Sequence, residues 1–438
     1  MNLRKEAWET IVRILKDAEY SDVLLQQKAR KLKSGGANPA FFYNLVKGTV
    51  KYQLKYDYIT KQFTDKAKYE KTDIRLKALL YMGLHQLIQM DGVPEHASVF
   101  ETVELAKELF GNPSADFVNA ILRNYQRSPR IVYPSDQVER IAYEHSYPVH
   151  LIKEWLHLFG VEKTELLAIH FNEIPRLHIR VNQLATTAVK LTGYFEKRDI
   201  ASKLSPYSEH ILLTERGSEA LMDVAFSEGY YTVQDTSAAL VVELLDPKPD
   251  ESVLDFFAAP GGKCTYIAER MHNTGEVIAI DKAPAKMKLL KQTAQRLQID
   301  NIRMINQDVF AFGPVAPAYD KVLVDAPCSG WGVLGRKADL RWQKHQNISE
   351  LIKLQEKALI YAASFVKPGG SLVYSTCTMN PAENEEQVKS FLRKNPHFTL
   401  GKADKWLKAA VCAEGFMKTI PYLHEMDGAF AARLMRKK

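Results

Sequence analysis

Cysteine is scarce in this chain of 438 residues. The four that occur are Cys264, Cys328, Cys377 and Cys412, and no two of them form a CxxC pair. So few cysteines in so long a chain favour a reducing compartment, and their spacing is unlike that of zinc-binding pairs. We therefore expect a cytoplasmic protein that holds no metal.

Long hydrophobic runs are also absent. No stretch approaches the roughly 18 apolar residues of a membrane helix. The start of the chain, MNLRKEAWETIVRILKD, has charges throughout instead of the apolar core of a signal peptide. Internal repeats and low-complexity segments are lacking as well. We expect no membrane association and no repeat architecture.

The composition is that of a globular protein, with 46% hydrophobic and 25% charged residues. A chain of this length has room for two or three domains, each with its own core. The net charge of +7 and the pI of about 8.9 favour nucleic acid weakly over an acidic partner.

The most informative stretch is VLDFFAAPGGKCTYI at 253–267. An apolar run, a glycine turn and a helical pattern follow one another, as in the first unit of a doubly wound sheet. A P-loop is excluded because Phe257 and Cys264 stand where it needs Gly and Ser or Thr. The three glycines of a dinucleotide fingerprint are missing too. An ordinary tight turn between a strand and a helix is the alternative interpretation.

Acidic residues follow the next three apolar runs. Asp281 comes nineteen residues after Gly262, where an acid can accept hydrogen bonds from ribose hydroxyls. Asp308 and Asp325 end the third and fourth runs. Three carboxylates at one sheet edge predict a nucleoside-bearing ligand that needs no phosphate cradle.

Two cysteines also follow predicted strands. Cys328 lies in DAPCSG at 325–330, and Cys377 lies in STCT at 375–378. Either cysteine alone is more often a small buried hydrophobic residue. Together, at the edge where a doubly wound sheet binds its ligands, they predict a catalytic pair.

The rest of the chain divides into three predicted regions. Residues 1–130 have helical spacing throughout, and residues 131–236 combine a helical linker with a small α+β domain. In residues 237–438 strands and helices alternate, which predicts a parallel sheet covered on both faces. A final strand is expected at 429–435.

Basic residues suggest how RNA could be held. One early group forms either a solvated helix face or an RNA-facing patch: Lys28, Arg30, Lys31, Lys33, Lys47 and Lys51. Arg180, on a predicted half-buried strand, either contacts phosphate or is simply exposed.

The motifs FFAAPGGK, DAPCSG and STCT resemble those of the RNA cytosine-5 methyltransferases of the Sun (Fmu) and nucleolar-protein family. Residues 1–125 resemble the helical domain of the antitermination factor NusB, and the resemblance continues through IRVN, VQDTSA and MDGAFAARL. It implies a multidomain α/β protein with an all-α NusB-like RNA-binding domain, a small RRM-like α+β domain and a Rossmann-like class I methyltransferase domain. It also implies a monomer that acts on 16S ribosomal RNA, and not on DNA.

By this resemblance the cofactor is S-adenosylmethionine, with Asp281 at its ribose and Asp308 at its adenine. Asp325 would lie between the cofactor and the target base, and Cys377, Cys328 and Asp325 would be catalytic. The backbone that lines the cofactor would belong to Phe257, Ala258, Ala259, Pro260, Gly261, Gly262 and Lys263. Phe257 and Cys264 depart from the family, which commonly has Cys and Thr there.

The chemistry explains why a thiol is needed. Cytosine C5 is a weak nucleophile, and a thiolate that adds at C6 pushes electron density onto it. A free cysteine has a pKa of about 8.5, so its thiolate needs a nearby cation or helix start. Lys263 and the helix predicted to begin at Asn380 are candidates. Cys377 is expected to attack and Cys328 to assist release.

Three alternatives are open. The chain could be a non-catalytic RNA-binding assembly factor, which would need neither the cysteine pair nor Asp281. It could apply the same chemistry to transfer RNA or to another ribosomal site. DNA cytosine methylation uses the cysteine after the fourth strand, and the cysteine of STCT argues against that function.

Overall fold

The computed structural model describes residues 2–17, 19, 24–25, 28, 39–215, 217–313, 316–342 and 347–438. The chain divides into two compact units. One consists of Met1–Glu173 with Leu334–Lys344, and the other consists of Ile174–Val333 with His345–Lys438. The predicted boundaries at residues 130 and 236 stay a prediction. No helix among the described residues is long and apolar enough to span a bilayer.

The first unit is helical, as predicted. Helix α5 is its centre, because every side chain from Ala78 to Gln86 is buried. A helix that is apolar nearly all round must be enclosed by others. The helices are α1 (Leu3–Asp17), α2 (Pro39–Lys51), α3 (Gln53–Gln62), α4 (Lys66–Glu70), α5 (Ile74–Gln89), α6 (Glu95–Phe110), α7 (Asn112–Arg127), α8 (Gln137–His145) and α9 (Val149–His170).

The predicted basic patch is only partly described. Lys28 is ion-paired with Glu6. Lys51 is largely buried, and its ammonium donates to the Phe171 carbonyl at 3.2 Å. Burial, with the charges of Arg341 and Lys47, lowers the pKa of Lys51 to about 7. The Lys51 ammonium is therefore engaged within the helical unit, while Arg30, Lys31 and Lys33 lie outside the described residues.

The second unit begins with a four-stranded antiparallel sheet in the order β2-β3-β1-β4. With two helical connections this is the split βαβ arrangement of ferredoxin-like and RRM folds. Side chains alternate across β1, so Ile179 and Val181 enter the core of this small domain. The elements are β1 (Leu177–Val181), α10 (Ala188–Glu196), β2 (Ser202–Leu204), β3 (Ile211–Thr214), α11 (Gly217–Met222), α12 (Val224–Ser227) and β4 (Tyr231–Val233).

Arg180 disagrees with both interpretations of the sequence. Its side chain is completely buried and ion-paired with Glu269. It can reach neither solvent nor a phosphate group, so the predicted RNA contact is wrong.

A nine-stranded sheet forms the rest of the second unit. Strands β9-β8-β5-β6-β7 are parallel neighbours. The expectation of a parallel sheet holds only for these five, because β13 runs antiparallel beside β9 and is itself flanked by antiparallel β12 and β10. The strands are β5 (Ser252–Phe256), β6 (Glu276–Ile280), β7 (Ile302–Ile305), β8 (Tyr319–Asp325), β9 (Val366–Thr376), β10 (Phe398–Gly401), β11 (Cys412–Ala413), β12 (Phe416–Thr419) and β13 (Ala429–Arg436).

Helices cover both faces of this sheet. Val253 of β5 belongs to one hydrophobic core, whereas Leu254 and Phe256 belong to the core on the opposite face. The helices are α13 (Thr236–Leu245), α14 (Gly262–Arg270), α15 (Pro284–Arg296), α16 (Ile348–Ala363), α17 (Glu385–Lys394) and α18 (Pro421–His424). The carboxyl ends of the parallel strands meet at one edge, where an open α/β sheet binds its ligands.

Candidate active site

The glycine turn connects β5 to α14. Phe257 and Gly261 have φ values of 63° and 104°, in the left-handed region. A Cβ on Gly261 would lie 2.3 Å from Leu290 Cδ1, so only glycine fits there. The Ala258 N–H donates to the Ile280 carbonyl at 3.1 Å, which holds the turn against the end of β6.

Asp281 follows β6 and belongs to the same site. Its carboxylate accepts from the backbone N–H groups of Ala259, at 3.2 Å, and Ala283, at 2.8 Å. Asp281 is therefore fixed against the glycine turn, as the sequence predicts. Asp308 is also beyond its strand, but it is exposed and accepts from the Phe310 N–H at 2.9 Å.

Asp325, at the end of β8, is held by two side chains. Lys263 Nζ lies 2.7 Å from its Oδ2, and Ser375 Oγ donates to its Oδ1 at 2.9 Å. Burial alone would lower the pKa of Lys263, but Asp325, Cys377 and Asp255 more than offset this and raise it above its usual value. Lys263 is therefore a permanent cation between the turn and the two cysteine segments.

Asp255 is a second carboxyl group behind Lys263. It is buried, and neither of its oxygens has a hydrogen-bond partner among the described residues. Burial and the charge of Asp325 raise its pKa well above the usual range. Asp255 therefore favours its neutral form more than an ordinary carboxyl group does.

The two cysteines meet. Their Sγ atoms are 3.3 Å apart, and the Cys377 N–H points at Cys328 Sγ over 3.3 Å. Neither cysteine is part of a disulfide, and both are partly exposed. The hydrogen bond with Cys377 and burial raise the pKa of Cys328 well above its usual value. Cys328 is therefore harder to ionise than an ordinary thiol while it is hydrogen-bonded to Cys377.

Glu383 joins the two cysteine segments, and the sequence did not reveal it. Its buried carboxylate accepts from the Ser329 N–H at 2.9 Å and the Ser329 hydroxyl at 2.6 Å. Ser329 Oγ in turn lies 2.7 Å from Thr378 Oγ1, beside Cys377. Gln355 Nε2 donates to the same carboxylate at 3.0 Å. Glu383 thus fixes the DAPCSG loop relative to the STCT loop.

The helix predicted to begin at Asn380 is much shorter than expected. Asn380 caps it, accepting from the Ala382 N–H at 3.1 Å. However, only one 3₁₀ turn, Pro381–Glu383, follows. The helical conformation is interrupted at Asn384, and α17 begins at the next residue. Glu383 turns inward to Ser329 instead of capping the helix. One short turn is a poor source of positive potential for Cys377, which leaves Lys263 as the candidate.

Gly332 brings a third segment to the thiols. Its N–H donates to the Cys377 carbonyl at 3.0 Å, and its carbonyl accepts from the Gly428 N–H at 2.8 Å. A Cβ on Gly332 would lie 1.8 Å from the Gly428 carbonyl oxygen, which requires glycine. The segment MDGAFAARL therefore packs directly behind Cys377.

Comparisons with known proteins identify the family of this chain. Residues 242–435 match the family model described as 16S rRNA methyltransferase RsmB/F, and residues 1–127 match the NusB family. The probable ribosomal RNA small subunit methyltransferase B of Bacillus subtilis is 34% identical over 447 positions, covering 100% of this chain and 99% of the relative. Its counterpart in Synechocystis is 33% identical and covers 95% of each chain.

The chain belongs to the ribosomal RNA small subunit methyltransferase B family. A crystal structure of the protein PH0851 has the same fold, with a TM-score of 0.82 at 27% identity, covering 99% of this chain and 98% of the other. A methyltransferase homologue from Pyrococcus horikoshii matches with a TM-score of 0.60 at 25% identity, over 69% of this chain and 100% of its own. The predicted NusB-like and Rossmann-like parts are confirmed.

The methyltransferase family implies S-adenosylmethionine, and the residues at the sheet edge fit it. Glycine at 261 lets the turn pack against Leu290, since a Cβ there would lie 2.3 Å from Leu290 Cδ1. No side chain among the described residues caps the start of α14, where unpaired N–H groups can receive a carboxylate. Asp281 lies beside this turn, where its carboxylate accepts from the Ala259 N–H. When bound, the cofactor supplies an electrophilic methyl group on a sulfonium.

The departures at Phe257 and Cys264 lie away from the paired thiols. Phe257 occupies a left-handed position in the turn. Cys264 is buried inside α14, where burial raises the pKa of its thiol well above the usual value, so it is inert.

One trio outside this unit has the geometry of a metal site: Glu144, His145 and Glu165. Arg140, however, is ion-paired with both glutamates.

Proposed function

We propose that the protein transfers a methyl group from S-adenosylmethionine to C5 of a cytosine in 16S ribosomal RNA, through a covalent bond between Cys377 and C6. The observation that carries the proposal is the pair of thiols 3.3 Å apart at the ends of β8 and β9. A binding protein has no need of two adjacent thiols beside the partly buried Lys263–Asp325 ion pair.

Three findings support the substrate. The relatives are named for the ribosomal RNA of the small subunit. The first 127 residues match the NusB family. The chain carries a net charge of +7, which favours a polyanion.

The cofactor site follows from the turn and the acids. Residues 257–263 would line the cofactor with backbone atoms, Asp281 would accept from the ribose, and Asp308 would face the adenine. A structural relative, the NSun6 protein of Pyrococcus horikoshii, was solved with SFG, an analogue of S-adenosylmethionine. That relative is 23% identical, so it supports the fold of the site and not the role of each residue.

The target base would be read by Asp325. Its Oδ2 is 2.7 Å from Lys263 Nζ, and an aspartate carboxylate only accepts hydrogen bonds. A carboxylate suits the exocyclic amine of cytosine and repels the carbonyl that uracil has in the same place. Asp325 would thus select cytosine and steady the charge that develops on its ring.

Nucleophilic attack would begin at Cys377. Lys263 stabilises negative charge on this sulfur, because the interaction that raises the pKa of Lys263 is mutual. The sulfur bonds to C6 and electron density moves to C5. C5 would then bond to the methyl carbon, and the carbon–sulfur bond of the sulfonium would break to leave S-adenosylhomocysteine. A base then removes the C5 proton, and elimination of the Cys377 thiolate restores the aromatic ring.

Cys328 would act at the end of the cycle. Its hydrogen bond with Cys377 is the largest cause of its raised pKa. Once Cys377 is bonded to C6, that cause is removed and Cys328 ionises more readily. The Cys328 thiolate is then placed to help remove the C5 proton and release the product.

The test is to supply the protein with methyl-labelled S-adenosylmethionine and separate pools of 16S, 23S and transfer RNA, and to map the label. We expect 5-methylcytosine at a defined position in 16S RNA. Label in transfer RNA or 23S RNA would move the same chemistry to another substrate. Binding of RNA without label in any pool would favour a non-catalytic assembly factor.

A further inference from the structure

The face of the small sheet that an RRM uses for RNA is buried here. RRM domains stack bases on aromatic residues of their open sheet face. In this chain the corresponding side chains on β1 are His178 and Arg180, which are 2% and 0% exposed. Ile211 and Leu213 of β3 belong to a hydrophobic core that they share with the nine-stranded sheet. This sheet is therefore a support for the methyltransferase fold and not an RNA platform.

Arg180 connects the small sheet to the methyltransferase fold, because each of its five N–H groups has a hydrogen-bond acceptor. Nε and one Nη donate to the two oxygens of Glu269, at 3.2 Å and 2.7 Å. The same Nη donates to Thr265 Oγ1 at 3.0 Å. The other Nη donates to the Gly262 carbonyl at 2.6 Å and to Gln234 Oε1.

The contact with Gly262 bears on the cofactor turn. In a planar trans peptide, the carbonyl of Gly262 and the N–H of Lys263 point in opposite directions. Arg180 holds that carbonyl, so it also fixes the direction of the Lys263 N–H. This N–H belongs to the first turn of α14, whose N–H groups have no intrahelical partner and can face an anion.

The ion pair with Glu269 explains why an arginine can occupy this position. Arg180 and Glu269 are both fully buried, and Tyr266 covers the guanidinium with its ring centroid 4.9 Å away. A buried charge without its partner is strongly unfavourable, so each of the two requires the other. Glu269 and Gly262 both lie on α14. The guanidinium is therefore hydrogen-bonded to the first residue of that helix and to a residue near its end.

We propose that Arg180 is a positioning residue for cofactor binding, which reaches from the small domain to Gly262 and sets the backbone N–H groups that receive S-adenosylmethionine. The proposal rests on the cofactor site described above and assigns no contact between Arg180 and the cofactor. It also replaces the RNA contact expected from the sequence with a role inside the protein.

The decisive variant is the double substitution Arg180→Met with Glu269→Met. It removes both buried charges together and fills their space with apolar side chains, which proteins generally tolerate. We expect it to fold and to bind S-adenosylmethionine about tenfold more weakly than the wild type, as for the loss of one hydrogen bond to a charged group. Calorimetry with the cofactor alone measures this without any turnover.

Two further variants keep the test sharp. Arg180→Lys retains a positive charge beside Glu269 but cannot also donate to the Gly262 carbonyl. We expect this variant to fold and to bind S-adenosylmethionine more weakly than the wild type. It therefore tests the proposal even if the double variant fails to fold. Arg433→Met is the matched control. Arg433 is another buried arginine, which donates to the carbonyls of Leu244 and Leu245, and its loss should leave cofactor affinity unchanged.

The outcomes distinguish the positioning role from the cofactor site itself. Equal cofactor affinity in the wild type and in folded Arg180 variants would overturn the positioning role alone. A wild type that binds no S-adenosylmethionine would overturn the cofactor site and this role with it. RNA affinity should keep the same dependence on salt in Arg180→Lys, because a buried guanidinium neutralises no phosphate.

Discussion

At the scale of single residues, Glu383 carries more of the active-site geometry than its place in the sequence suggests. Its carboxylate accepts three hydrogen bonds, from two groups of Ser329 and one of Gln355. Its own backbone carbonyl accepts from the Tyr374 hydroxyl at 2.7 Å. These bonds fix the loop of Cys328 against the loop of Cys377, so the distance between the thiols depends on a residue that need not touch RNA.

Replacing Glu383 should impair chemistry and spare cofactor binding. In Glu383→Ala the Ser329 N–H loses its partner and the cysteine loops can separate, so we expect kcat to fall roughly 10- to 100-fold. Glu383→Gln keeps one acceptor oxygen, so its kcat should fall less than that of Glu383→Ala. Glu386→Ala, an exposed acid on α17, is the control. Affinity for S-adenosylmethionine that falls in parallel with kcat would instead mean general disruption of the sheet edge.

The sequence was informative about residues whose chemistry is local. Strand, turn and acid spacing placed Asp281, Asp325 and both cysteines at one edge, and the structure brings these four there. Arg180 and Glu383 could not be assigned in this way. A buried charged residue looks the same in sequence as an exposed one, and its partner is chosen by tertiary packing, here Glu269 and Ser329.

At the scale of elements, the sequence predicted the positions of the strands better than it predicted whether neighbouring strands are parallel or antiparallel. The final strand was expected at 429–435 and is observed at Ala429–Arg436. It runs antiparallel to both of its neighbours β9 and β12. Alternating hydrophobicity indicates which residues face the core, but it is the same for either direction of a strand.

Helix α2 contains a titratable group with a measurable effect on stability. The pKa of Lys51 is about 7 in the folded protein, against about 10.5 when exposed. Between these values the unfolded chain binds more protons, so the free energy of unfolding rises with pH from about 7 to about 10.5. The stabilisation is complete above the unfolded pKa and is lost as pH falls through the folded one.

Urea unfolding of the wild type and Lys51→Met at pH 7, 8 and 9 tests this. The variant should gain stability over the wild type at pH 7, and this difference should shrink as pH rises, by roughly 1 kcal/mol per pH unit. Lys66→Met, at an exposed position in α4, should show a difference that does not change with pH. A constant difference for Lys51→Met as well would show that Lys51 is protonated in both states.

At the scale of the whole molecule, the chain does not follow the linear order of its predicted regions. The segment Leu334–Lys344 comes after the DAPCSG loop in sequence, yet it belongs to the helical unit. Arg341 is buried there, donating to Asn172 Oδ1 at 2.8 Å and to the Phe171 carbonyl at 3.0 Å. Deleting residues 1–130 would remove partners of this segment, so single side chains are better tools than truncations.

RNA binding by the helical unit is best tested through its charges. The triple variant Arg30→Gln, Lys31→Gln, Lys33→Gln removes the sequence-predicted patch. If these residues neutralise phosphates, the slope of log affinity against log salt should flatten by up to about 0.7–0.9 for each phosphate that is no longer neutralised. Lys51→Met removes an ammonium that already donates to the Phe171 carbonyl, and it should leave the slope unchanged. Identical slopes for the triple variant and the wild type would exclude this patch from RNA binding.

The central claim is that Cys377 attacks C6 of the cytosine and that Cys328 assists release of the methylated RNA. Denaturing gel electrophoresis of cysteine variants tests this claim. Wild type, Cys377→Ala, Cys328→Ala and the control Cys412→Ala are incubated with 16S RNA and S-adenosylmethionine, then denatured. We predict that only Cys328→Ala accumulates a protein–RNA species that survives denaturation and disappears with protease. Cys377→Ala should give neither adduct nor methylated RNA, while Cys412→Ala should behave as the wild type. An adduct trapped by Cys377→Ala and absent from Cys328→Ala would contradict this division of roles.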